Sequence, residues 1–148
     1  MINREGAIER MRELVAAKTP FVHQGRTVHG IDCVGALIYA FQYSGEVPAY
    51  PEDPVNGELE RELIRVFGQP ALYRTSLLGP YVDIQDLQVG DVVSMQYRGP
   101  VRHVGLVGDY PYISGQLSLI HTDAIIKRVT EHRLDHKWLR RTVGVWRP

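Results

Sequence analysis

The hydrophobic pattern of this chain changes period once, and that change limits the fold more than any other feature. Up to Phe67 the apolar residues recur at helical spacing, whereas from Asp86 onward they gather in short, β-branched runs. Ile8, Met11, Leu14 and Val15 mark a first amphipathic helix that Lys18-Thr19-Pro20 ends. The segment FVHQGRTVHGID reads as a loop, and the run from Cys33 to about Tyr43, apolar on most sides, predicts a buried second helix. Gly45 to Pro54 is rich in proline and acidic residues, and ELERELIRVF (Glu58 to Phe67) predicts a third helix that Gly68 and Pro70 stop. DLQVGDVVSMQY then turns at Val89-Gly90-Asp91 into a strand, and RHVGLVGDY, GQLSLIHTD, AIIKRVTEH and TVGVWRP predict four more. Helices first and strands later predict an α+β layer fold, with N-terminal helices packed on an antiparallel sheet. The handover falls near Gly79-Pro80 and marks no domain boundary. With 148 residues and no repeat, a single domain spanning residues 1–148 is expected. A chain of this size buries roughly 70% of its unfolded surface, enough for a core.

The second predicted helix carries the chain's one cysteine. Cys33 sits in HGIDCVGALIYAFQY, just behind a glycine turn and an aspartate. Backbone N–H groups in a helix's first turn are unpaired and partly positive, which favours a thiolate and lowers its pKa. The competing reading is a small buried hydrophobe. A nucleophilic thiol needs a base and a group that orients the base. Of the six histidines, at positions 23, 29, 103, 121, 132 and 136, His103 and His121 fall on predicted strands that would pair through Asp109 to Ser114. Along HVGLV, His103, Gly105 and Val107 share one face while Val104 and Leu106 share the other. Gly105 is expected to leave room for a helix end, so that both imidazoles meet under the amino end of the cysteine helix.

Composition excludes several classes. Seventeen basic and seventeen acidic residues give zero formal charge, so no overall field favours nucleic acid or anionic membranes, and no nucleic-acid partner is expected. One cysteine allows no internal disulfide. The amino terminus lacks the apolar region of a signal peptide and no stretch of about 18 apolar residues occurs, so neither secretion nor membrane insertion is expected. His132 and His136 stand four apart, but Arg133-Leu134-Asp135 lacks the glutamate of a metalloprotease helix, and no metal is expected there. The basic end, with Arg133, Lys137, Arg140, Arg141 and Trp138, reads as a solvated face, and Tyr97, Tyr110 and Tyr112 as packing residues near strand ends.

Four segments in order carry a resemblance. GIDCVGALIYAF resembles the cysteine motif of the NlpC-type cell-wall peptidases, and RHVGLVGD resembles their histidine motif. DLQVGDVVSM is similar to the stretch ahead of the histidine strand. PFVHQGR stands where the family usually has an aromatic loop ending in glycines. The resemblance implies a papain-like fold with Cys33 as nucleophile, His103 as base and His121 as the polar third member. It also implies hydrolysis without metal or organic cofactor, acting on peptidoglycan stem peptides, most often between γ-D-glutamate and a diamino acid. Asp32 matches the aspartate associated with binding the stem peptide's free α-amine. From the residues alone it is equally an N-cap of the cysteine helix.

The departures fall on substrate contacts. Val34 replaces the usual serine, Phe21 a tyrosine and His23 a tryptophan. The wording PFVHQGR resembles the subgroup found in tails of bacteriophages and gene-transfer particles, which implies a virion-tail location, tail-protein partners and local opening of the wall. Two alternatives stay open: a non-catalytic tail-tip component of the same fold, and an amidase or acyltransferase using the same thiol.

Overall fold

The computed structural model describes residues 2–54, 56–74, 82–97 and 100–148. Helix α1 (Ala7–Ala16) buries Ala7, Met11 and Leu14. A two-residue hairpin follows, β1 (Arg26–Thr27) with β2 (Gly30–Ile31), inside the segment that the sequence reads as loop. Helix α2 (Cys33–Phe41) ends where Gln42 turns left-handed, two residues before Tyr43, and buries six of its residues. Helix α3 (Glu58–Phe67) has the expected bounds and buries Leu59 and Leu63.

After a short β3 (Leu72–Tyr73) and a 3-10 turn at Ile84–Asp86 come the long strands β4 (Val92–Gln96), β5 (Val101–Asp109), β6 (Leu117–Asp123) and β7 (Arg128–Arg133). Helix α4 (His136–Arg141) and β8 (Thr142–Trp146) close the chain. The expected handover at Gly79-Pro80 lies outside the described residues. The main sheet is antiparallel, in the order β3-β8-β4-β5-β6-β7. No helix among the described residues is long and apolar enough to cross a membrane.

Alternation along the strands divides the core between the sheet's two faces. Val92, Val104, Leu106, Ile120 and Val129 pack with α1, α2 and α3. Val93, Met95, Val107, Leu119 and Val145 face the other way, under Leu134 and Leu139 and against Trp138 of α4. The register of β4 on β5 shifts between Met95, opposite His103, and Gln96, opposite Val101, so Arg102 is bulged out. Without that bulge Val101 and His103 would share a face. With it, Val101 joins the helix-side core while His103 turns to the other side, against Tyr97.

Candidate active site

Asp32 sets the geometry at the start of α2. Its extended backbone follows β2, and its Oδ1 accepts from the Gly35 N–H at 2.7 Å, so the expected cap is present. Its carboxylate also gathers the preceding loop. Oδ1 pairs with Arg26 at 3.2 Å, while Oδ2 accepts from the Gln24 N–H at 2.7 Å and from the Tyr50 hydroxyl. Gly35 makes this possible, because a Cβ there would stand 2.1 Å from the Gly25 carbonyl oxygen. Helix and loop therefore touch backbone to backbone, and Asp32 is only 3% exposed.

Cys33 is the first residue of α2 and is half-buried. It shares a cavity of about 110 Å³ with Phe21, His23, Tyr50, His103 and Thr122. Tyr50 and its neighbours Pro51 and Glu52, from the proline-rich stretch, form one wall. Burial pushes the Cys33 thiol up to about 12, and the Asp32 carboxylate acts in the same direction. The N–H groups of Val104, Val34 and Cys33 itself oppose this with less effect. The activation expected from the helix start is thus outweighed by burial, which reverses the expected shift.

His103 and His121 do meet, at 2.6 Å between His103 Nε2 and His121 Nδ1. They lie on the sheet face turned from α1, α2 and α3, rather than simply under the cysteine helix, and Cys33 reaches His103 through the shared cavity. Gly105 has a different role from the one expected. Register places it beside His121, and an added Cβ would lie 2.6 Å from Leu119 Cδ1 and 3.2 Å from His121 Cβ. Its bareness opens the diagonal along which the imidazole of β6 reaches that of β5.

A third imidazole continues the line. His121 Nε2 is 2.8 Å from His132 Nε2 on β7, and His132 Nδ1 is 2.9 Å from the Arg133 carbonyl oxygen. The carbonyl can only accept, so His132 Nδ1 carries a proton. Burial lowers His103 to about 4, and burial together with His103 and His132 lowers His121 to about 2, so both rings are neutral at pH 7. In the arrangement where His132 Nε2 accepts, each ring donates onward: His103 Nε2–H to His121 Nδ1, and His121 Nε2–H to His132 Nε2. His103 Nδ1 is left with a lone pair. Trp138 covers this chain, its ring 4.9 Å from those of both His121 and His132. Arg141 lies over Trp138 at 4.9 Å and over Tyr97 at 4.6 Å, so Trp138 and Arg141 take part in the site's packing rather than forming a solvated face.

His132 was legible only as the end of the predicted strand AIIKRVTEH. Pairing it with His136 by helical spacing fails, because His132 ends in β7 and His136 opens α4. Among the described residues, His121, Asp123 and His132 bring potential metal-ligand atoms within 4.8 Å of one another.

The fold and the family are independently supported. Over 97% of both chains, the structure is similar to the NlpC/p60 domain of the peptidoglycan hydrolase SagA, at 16% identity and a TM-score of 0.55. An NlpC/P60 family protein from Bacillus cereus matches 98% of this chain at 19% identity and a TM-score of 0.56. NlpC1 from Trichomonas vaginalis matches 97% at 16% identity and a TM-score of 0.58. The chain spans 40% of the Bacillus protein and 43% of the Trichomonas protein. At these identities the likeness establishes an α+β fold of helices on an antiparallel sheet. No curated protein sequence matches the chain. The sequence pattern of one family runs through residues 18–147, from the end of α1 to the last strand, and the chain therefore belongs to the NlpC/P60 family.

Proposed function

We propose that the protein is a cysteine peptidase that hydrolyses peptidoglycan stem peptides, with Cys33 as nucleophile, His103 as base and His121 as the residue that orients His103. The observation that carries this reading is the histidine chain, in which His103 meets His121 through Nε2 and keeps Nδ1 out of that contact, in a cavity shared with the only thiol. Burial disfavours both thiolate and imidazolium, so the thiol proton passes to His103 Nδ1 as sulfur attacks the scissile carbonyl rather than beforehand. His121 Nδ1 then faces the new imidazolium as an acceptor. Backbone N–H groups at the start of α2 are the donors available to the tetrahedral oxyanion. His103 returns the proton to the departing amine, and water hydrolyses the thioester.

The bond proposed is that between γ-D-glutamate and a diamino acid, with Asp32 receiving the free α-amine. The Oδ2 side, where Tyr50 donates, borders the cavity and supports this role, with Arg26 retained on Oδ1. The setting proposed is a phage-type tail whose proteins are its partners, on the wording of PFVHQGR. Stem peptides with free and with acetylated amino termini, read by mass spectrometry, test the reading. We expect cleavage at the γ-D-glutamyl bond and at least a tenfold lower kcat/KM after acetylation. Absence of cleavage by a folded protein would overturn it in favour of a non-catalytic tail component.

A further inference from the structure

We propose that His121, His132 and Asp123 form a site for a divalent transition-metal ion such as Zn2+, and that filling it switches off the thiol site by reversing the hydrogen bonds of the histidine chain. The switching half of this proposal rests on His103 being the base for Cys33.

The donor set is built on neighbouring strands. His121 lies within β6, Asp123 ends it, and His132 lies in the neighbouring β7, paired with Leu119 and so diagonal to His121. Their ligand atoms fall within 4.8 Å of one another, and the two Nε2 atoms are 2.8 Å apart. Zinc binds imidazole nitrogen at about 2.0–2.1 Å, so two nitrogens on one tetrahedral ion stand about 3.3 Å apart. Opening the present contact by about 0.5 Å admits the ion between them. The surroundings are those of a ligand set. His132 donates Nδ1–H to the Arg133 carbonyl, the outer contact that leaves Nε2 bare for a metal. The Asp123 carboxylate is oriented by the N–H groups of Ile125 at 2.7 Å and Ile126 at 3.3 Å. Two imidazoles and a carboxylate suit zinc, cobalt or nickel better than magnesium or calcium. Asp123 contributes the negative charge facing the ion, and Arg141, stacked over Tyr97 and Trp138, opposes it. His132 and Asp123 are half-buried, which gives the ion an entry from solvent, whereas His121 is buried.

Occupation reverses the chain by simple proton accounting. The ion needs the lone pairs of both Nε2 atoms, so the proton on His121 Nε2 leaves to solvent. His121 takes a proton on Nδ1 from His103 Nε2, and His103 takes one from solvent on Nδ1. Each ring keeps the number of protons it had, and no net proton is gained or lost. The nitrogen that would accept the thiol proton now carries one, and attack by Cys33 has no base.

The test uses Zn2+ and Co2+ with the whole chain. Long-range 15N NMR of histidine-labelled protein is expected to show the proton of His103 move from Nε2 to Nδ1 on adding Zn2+. The visible absorption of bound Co2+ should give an affinity at least tenfold weaker in Asp123→Asn and unchanged in Cys33→Ala. Stem-peptide hydrolysis by the parent should fall at least tenfold with Zn2+ and recover with EDTA, and at the same Zn2+ concentration Asp123→Asn should be inhibited less, the ratio being taken within each of these two proteins. Equal affinity in the parent and Asp123→Asn would overturn the site, as would loss of binding in Cys33→Ala, which would locate the ion at the thiol. Binding without the NMR exchange would overturn the switch. A protein that hydrolyses no stem peptide yet shows the exchange would lose the proposed function and retain the metal site.

Discussion

Acid should unfold this protein through two buried imidazoles. His103 is 7% exposed and His121 1%, and burial lowers them to about 4 and about 2 from 6.5. Below pH 6.5 the unfolded chain takes up protons that the folded chain refuses, so stability falls as pH falls, down through about 4 for His103 and about 2 for His121. Near pH 5 each ring contributes a slope approaching 1.4 kcal/mol per pH unit, so the pair gives about 2.7. Taking His103 alone from 6.5 to about 4 costs about 3 kcal/mol. A domain with about 5–15 kcal/mol of stability has little reserve against two such groups. Urea unfolding followed by circular dichroism from pH 7 to pH 5, on the parent and on His103→Gln, isolates the effect because the other titrating groups cancel in the difference. The variant should lose about 1.4 kcal/mol per pH unit of the parent's slope. Equal slopes, or a parent whose stability stays flat between pH 6.5 and 5, would mean that the buried imidazoles do not set the acid sensitivity.

Gly105→Ala should destabilise the fold by about 1–3 kcal/mol in urea unfolding and lower kcat further, because its Cβ meets Leu119 at 2.6 Å and His121 at 3.2 Å. His132→Leu removes the acceptor of His121 and should lower kcat about tenfold with KM little changed, while the His103 proton in 15N NMR spreads over both nitrogens; His132→Gln, whose carbonyl still accepts, should restore most of both. Since the thiol is pushed up to about 12, alkylation of Cys33 by iodoacetamide at pH 7.5 should be slower than that of free cysteine; a faster reaction would mean that a preformed ion pair exists.

The elements that the sequence specifies locally are the ones that could be read from it. ELERELIRVF has helical spacing and a glycine stop, and α3 spans Glu58–Phe67. The capping aspartate and the apolar run place Cys33 at the start of α2. What escaped depends on neighbours distant in the chain. The bulge at Arg102 is a mismatch between β4 and β5, so strict alternation along β5 alone cannot show it. Helix α4 is only His136–Arg141, capped by Asp135, and its basic residues read as a solvated tail until Trp138 is seen packed on the histidines. The direction of the Cys33 shift escaped for the same reason: the helix start is local, but the burial that outweighs it comes from the cavity walls. Likewise Arg26 and Tyr50, the partners of Asp32, are brought to it by tertiary packing.

Cys33 is proposed to perform the cleavage. The most direct measurement is the single-turnover rate of stem-peptide hydrolysis by the parent and by Cys33→Ala, with equal unfolding midpoints verifying that the variant is folded. If the thiol is the nucleophile, Cys33→Ala should lose at least a thousandfold in rate. Hydrolysis at a similar rate in both proteins would contradict it.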